Sequence, residues 1–292
     1  MDTDYEQITY RVDGRVAVLA LNRPEARNGF TVQMSHELAD AFERADADPE
    51  VRVVVLTAEG PTFCVDADLA AGGGKGQGFT RTDDPELAAA AAEGRYQEPA
   101  GRVTSVMHRM DKPVIAAVRG AAVGVGSSLL LPADFRIAAE DGKFGFPFTQ
   151  RGIVPEGASS WYLPRLVGLG TALDWMISGR IVPAAEARAA GLLTALHPAE
   201  EVLPAALELA RTLAARTAPV SVALTRQLLY RMAWADSPEA VHRLDSRLIH
   251  DLTRGPDAVE GVRSFFERRD PDFPGRVPAD LPDYLPWTAE QA

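Results

Sequence analysis

Two short apolar runs do most to restrict how this chain can fold. Val51 to Thr57 and Pro113 to Val118 are too short for buried helices and carry several β-branched residues. Runs of this kind read as strands covered on both faces. A third short strand is expected over Asp134 to Ala138. Helical patterns separate the three. Thr31 stands at an N-cap position, and Met34, Leu38, Phe42 and Ala45 recur at helical spacing until Asp48-Pro49 stops them. Residues 85–110 are Ala-rich and helical in pattern. A glycine-rich turn, Gly120 to Gly126, opens an apolar helix that ends near Leu131. Ahead of all this, residues 6–11 and 15–21 form a hairpin about Asp13-Gly14. Alternating strand and helix makes the fold class α/β.

Beyond about residue 155 the character changes to four or five helical stretches broken by proline and glycine, and the tail from Pro271 reads as extended over the surface. With 30 basic and 41 acidic residues the formal net charge is −11, so general binding of nucleic acid or of an anionic membrane is disfavoured. A local basic pocket for an anionic small molecule remains open. One cysteine, Cys64, allows no internal disulfide, which fits a reducing, cytoplasmic setting. The start, Met1-Asp2-Thr3-Asp4, has no signal-peptide pattern. The stretch Ala116 to Leu131 is interrupted by Arg119 and does not suit a bilayer.

Several familiar motifs fail. Gly74-Lys75 is followed by glycine, not Ser or Thr, so no phosphate-binding loop forms there. Gly124-Val125-Gly126 lacks the third glycine of a dinucleotide fingerprint. The five histidines show no metal-ligand spacing, so no metal is expected. Cys64 has no base beside it and reads as a small buried hydrophobe.

Four segments together resemble the crotonase superfamily of enoyl-CoA hydratases and isomerases. They are Leu21 to Asn28, Phe63 to Leu69, Lys112 to Asp134, and Phe144 to Gly168. The run Glu260 to Arg269 is similar to the family's ending. The resemblance implies a spiral of repeated ββα turns over residues 1–200 carrying an acyl-CoA site. It also implies a helical C-terminal region over 201–292 through which such proteins form trimers or pairs of trimers. It calls for no metal or redox cofactor; coenzyme A enters as part of the substrate.

The chemistry of such a site centres on the thioester oxygen. Removing a proton beside the carbonyl, or adding a nucleophile at C3, places negative charge on that oxygen. Two backbone N–H groups aimed at it stabilise the enolate, each by about 2.7–4 kcal/mol. The resemblance puts these donors at Ala67 and Val125. Two positions depart from the pattern. Val125 stands where glycine is usual, so either its backbone is ordinary or the oxyanion hole is altered. Asp66 also replaces a glycine. It is either a turn substitution or an extra carboxylate able to act as acid or base. Residues 120–126 alternatively form no more than a tight turn.

The two glutamates by which hydratases handle water fall, by the same comparison, at Ser128 and Phe148, neither of which is a base. A different carboxylate, Glu156 in Val154 to Ser160, matches the lone base of Δ3,Δ2-enoyl-CoA isomerases. Alternatively it is an exposed glutamate at a helix start. An apolar surround of Phe146, Phe148 and Trp161 would raise its pKa. Coenzyme A is expected against Arg23, Ala26 and Arg27, with Asp68 and Leu69 flanking the adenine. Phe265 and Arg268 would reach that site from a neighbouring subunit. For each arginine a solvated surface charge is the alternative. Ser127, Ser128, Gln150 and the helix near Pro85 would shape the acyl pocket. Isomerisation is the leading activity. Hydration or another crotonase reaction, such as thioester hydrolysis or C–C cleavage, is the second. Acyl-CoA binding without catalysis is the third.

Overall fold

The computed structural model describes residues 5–68 and 85–287, with the backbone alone for 85–88. A hairpin, β1 (Ile8–Asp13) and β2 (Val16–Leu21), opens a six-stranded sheet. Next in the sheet come β3 (Val53–Ala58), β4 (Val114–Val118), β6 (Phe135–Ala139) and β9 (Ala195–His197), all parallel from β2 onward. A smaller sheet joins β5 (Ala121–Val123), β7 (Lys143–Gly145) and β8 (Ile181–Pro183).

The period of two along the central strands explains their composition. Ala17, Leu19, Leu21, Val54, Leu56 and Ala116 face the main core, which includes α1 (Val32–Ala47) and α3 (Pro99–Arg109). Their neighbours Val16, Val18, Val53, Val55, Ile115 and Ala117 face the other way. There they meet α8 (Val202–Arg216), whose Val202, Ala206, Ala210 and Ala214 recur every four residues along one stripe. A strand apolar on both faces therefore has a helix on each. Thr31 caps α1 as expected, its hydroxyl accepting from the Met34 amide at 3.0 Å.

The expected helix over 85–110 is two helices, α2 (Pro85–Ala92) and α3. Gly94 takes a left-handed φ of 69° after the first, and Pro99 opens the second behind a Glu98 cap. The apolar helix expected to reach Leu131 is only α4 (Val125–Ser128). Residues just before it are drawn into β5 by the Cys64 backbone, with Cys64 N on Ala121 O at 3.0 Å and Val123 N on Cys64 O at 2.9 Å. Among the described residues after 155 there are seven helices rather than four or five: α5 (Ser159–Val167), α6 (Leu169–Ser178), α7 (Ala184–Ala189), α8, α9 (Pro219–Met232), α10 (Pro238–Leu252) and α11 (Pro256–Glu267). Gly168 divides α5 from α6 within one continuous apolar pattern, and the three-residue β8 and β9 are too short to show a period.

Buried Arg226 ties α9 to the sheet, pairing with Asp134 at 2.9 Å and donating to the Met107 carbonyl at 2.8 Å. The tail over 271–287 has no helix or strand, yet Val277, Leu285 and Trp287 are buried against α9 and α10. Among the described residues no helix is long and apolar enough to cross a membrane.

Candidate active site

Two loops meet above the sheets. The segment from Cys64 to Asp68 is held between Phe30 and β5: Phe30 N donates to Asp66 O and Asp68 N to Phe30 O, both at 2.9 Å. On its other side, Gly124 turns the chain from β5 into α4 with φ 57°. A Cβ on Gly124 would lie 2.1 Å from the Asp66 carboxyl carbon, so only glycine fits against this neighbour. Val125 is absent from the residues of positive φ and starts α4 in ordinary geometry. The left-handed step falls on Gly124, so valine at 125 leaves the amide direction intact.

The amides of Ala67 and Val125 converge as the resemblance implies, and the group between them is the Asp66 side chain. Its Oδ1 accepts from Ala67 N at 2.8 Å and from Val125 N at 3.3 Å. Its Oδ2 forms an ion pair with Arg151, which closes the short helical turn Thr149–Arg151. Asp66 is buried and has φ 95°, a conformation costing an L-residue on the order of 1–3 kcal/mol. It is thus more than a turn substitution, and its carboxylate is engaged by three donors rather than standing free as an acid or base.

Glu156 lies in different surroundings. Gly157 and Ala158 follow it with φ 60° and 54°, turning the chain sharply into α5. Glu98 stitches this turn to α3: its Oε1 accepts from Gly157 N at 2.8 Å and its Oε2 from Gly101 N at 2.6 Å. Gly157 sits against α4, where a Cβ would come within 3.3 Å of the Ser128 Cβ. Among the described residues no donor reaches the Glu156 carboxylate. Burial, and then the nearby Glu98 charge, push its pKa up to about 7. Burial, and then the Glu156 charge, push the Cys64 thiol up to about 12. A thiol so buried is inert, as expected.

Ser128 is buried, its hydroxyl 3.4 Å from that of Ser159. Phe146 and Phe148 are buried in the main core. Trp161 packs edge-on against His108 and Tyr162, with Arg165 over its ring at 3.9 Å. Ser127 is structural, donating to Ala122 O at 2.6 Å. Gln150 turns away to the end of α6, donating to Ser178 O at 2.7 Å.

On the expected coenzyme side, Arg23 is no solvated surface charge. It pairs with Asp68 at 2.8 Å and donates to Gly29 O at 2.6 Å, binding two loops together. Arg27 is exposed with a left-handed φ of 52°, and Ala26 is half-buried. Leu69 lies outside the described residues. Phe265 and Arg268 stand at the end of α11, both exposed. Sequence reasoning missed Arg151 and Glu98. Glu98 carried a usable signal, an acidic residue directly before Pro99 at a helix start. Arg151 carried none, because its partner is 85 residues away.

Residues 11–276 match the family model described as enoyl-CoA hydratase/isomerase. The chain belongs to that family. It is 40% identical over 268 residues to the enoyl-CoA hydratase ACTT3 of Alternaria alternata, covering 90% of this chain and 86% of that one. It is 32% identical over 266 residues to the enoyl-CoA hydratase EchA19 of Mycobacterium tuberculosis, covering 90% and 94%. Its fold matches the crystal structure of a probable enoyl-CoA hydratase/isomerase from Mycobacterium abscessus with a TM-score of 0.80 and 34% identity, over 92% of this chain and 98% of the other. The fold is that of the crotonases, and the chain is an enzyme of the enoyl-CoA hydratase/isomerase family.

Proposed function

We propose that this enzyme shifts the double bond of a 3-enoyl-CoA to the conjugated 2-enoyl position, with Glu156 as the single base. The observation that carries this reading is a half-buried carboxylate, without a hydrogen-bond donor among the described residues, whose pKa is pushed up to about 7 on a turn that packs against α4, the helix Val125 opens. A base poised near neutrality removes a proton effectively and returns it effectively. The Glu156 carboxylate takes the proton from C2 of the thioester. The electron pair moves onto the carbonyl oxygen, and the resulting dienolate is stabilised by the two amides. Protonated Glu156 then delivers its proton to C4, giving the conjugated thioester. No net proton is gained or lost, so one residue suffices.

Hydration is the second reading, favoured by the names of the relatives. Against it stand Ser128 and buried Phe148 at the positions where the family resemblance expects the paired glutamates. The coenzyme is proposed to lie along Arg23, Ala26, Arg27, Asp68 and Leu69, with Phe265 and Arg268 supplied by a second copy. The stripe Leu169, Leu173 and Ile177, exposed at four-residue spacing on α6, and the exposed Val259, Val262 and Phe266 on α11 in the C-terminal region support self-association, proposed as a homotrimer or a pair of trimers.

A paired assay tests the proposal. Given a 3-enoyl-CoA, the enzyme is expected to raise the absorbance of the conjugated thioester. Given the matching 2-enoyl-CoA, it is expected to leave that absorbance unchanged. Loss of the 2-enoyl band without isomerisation of the 3-enoyl substrate would replace the isomerase reading with the hydratase one. Tight coenzyme A binding with neither change would support a non-catalytic role.

A further inference from the structure

We propose that the Asp66 carboxylate is an internal occupant of the oxyanion hole, and that a thioester carbonyl must displace it to bind productively. Asp66 then sets the threshold that an acyl group has to overcome. The inference rests on the reading of Ala67 and Val125 as the thioester's donors.

Each amide has one hydrogen, and both already point at the same Asp66 oxygen. A substrate oxygen cannot take them while that carboxylate stays. Charge-assisted bonds of this kind are stronger than those a neutral carbonyl makes, so the resting site favours its own side chain. The occupancy is shape-specific as well. The carboxyl group fills the space over Gly124, where any side chain would overlap it. The backbone of Asp66 holds φ 95° to place it there. The grip is uneven. The bond to Val125 N is the longer at 3.3 Å, so release begins on the α4 side. Arg151, whose side chain is one-third exposed, holds the other carboxylate oxygen from outside the hole. Its length lets it stay paired as Asp66 rotates away. Displacement therefore does not leave a buried charge unpartnered, which would otherwise be prohibitive.

The test compares wild type, Asp66→Gly and Asp66→Asn by calorimetric titration with two unreactive probes. Butyryl-CoA carries the thioester carbonyl, and free coenzyme A lacks it. Glycine suits the positive φ and keeps the fold. Asparagine keeps the shape and removes the charge. Asp66→Gly is expected to bind butyryl-CoA about ten-fold tighter or more than wild type, with coenzyme A affinity changed by less than about two-fold. Asp66→Asn is expected to fall between. Equal butyryl-CoA affinity in all three proteins would overturn the proposal. So would an equal gain for both probes, which would mean simple widening of the pocket. The outcome is separable from the isomerase reading. A gain for butyryl-CoA with no isomerisation of 3-enoyl-CoA keeps the displacement and removes the single-base mechanism. Isomerisation that depends on Glu156, with no gain in Asp66→Gly, does the reverse.

Discussion

Two carboxylates lie in this site, Asp66 buried and Glu156 half-buried, and their surroundings are opposite. At the Gly124 turn, Asp66 receives two backbone amides and a guanidinium. At the turn into α5, Glu156 receives no donor among the described residues, and its nearest named charge is the like-signed Glu98. The first environment occupies the carboxylate's oxygens with donors. The second destabilises a carboxylate and makes it a better base. Both turns carry left-handed residues other than glycine, Asp66 in one and Ala158 in the other, so both store backbone strain. The lesson is that two carboxylates in one site differ in the donors that reach them: Asp66 is met by three, whereas for Glu156 burial without a donor is the larger cause of its raised pKa. Separated environments of this kind assign roles to chemically similar groups.

The contrast breaks most severely if the unsatisfied carboxylate is neutralised. Glu156→Gln is expected to lower kcat for 3-enoyl-CoA isomerisation about 10²–10⁴-fold. A steady-state assay on 2-enoyl product formation checks it, and retention of wild-type turnover would remove Glu156 from the mechanism. The next effect is at the satisfied end. Gly124→Ala brings a methyl group into the Asp66 carboxyl group and forces alanine to φ 57°. It is expected to cost about 2 kcal/mol or more in denaturant unfolding. Combining it with Asp66→Gly should recover the steric part and leave only the backbone cost, so the two changes will not add.

Much of this was legible from residues alone. The both-sides-buried strands β3 and β4, the Thr31 cap and the hairpin follow from local pattern, because period and capping are short-range properties. The amides of Ala67 and Val125 were reached through motif resemblance. The doubt over valine at 125 resolved once the left-handed step was seen at Gly124. The partner of Asp66 was not legible: Arg151 is 85 residues away, and no period or spacing links them. Nor was the role of Arg23, whose ion pair with Asp68 spans 45 residues. The surround of Glu156 was expected to be apolar and to raise its pKa. Burial is the larger cause of the raise, and the part not legible is Glu98, brought there by the capping of α3.

A smaller effect follows from linkage. A carboxyl group whose folded pKa lies above its unfolded value holds its proton more tightly when folded. Its contribution to stability is therefore full below about pH 4.5 and is lost as pH rises towards about 7. At pH 8 the wild type carries an uncompensated charge that Glu156→Gln lacks. The variant is expected to be more stable there by about 1–2 kcal/mol, allowing for partial solvent access, and indistinguishable at pH 4. Thermal unfolding at the two pH values checks this, and equal stability at both would mean that the Glu156 pKa is not raised in the folded protein.

The finest test separates burial from the like charge. In wild type, kcat/KM should rise with pH through a midpoint near 7, since the base must be ionised. Glu98→Gln removes the charge and keeps the side-chain size. Because burial is the larger cause of the shift, the midpoint should move down by less than about one unit. Glutamine accepts through one oxygen only, so one of the two bonds to Gly101 and Gly157 is lost and the α5 turn loosens. Loosening alone would lower kcat without moving the midpoint, whereas loss of the charge moves the midpoint whatever happens to kcat. A midpoint unchanged from wild type would leave Glu98 as a helix cap and brace for Gly157, with burial alone setting the base.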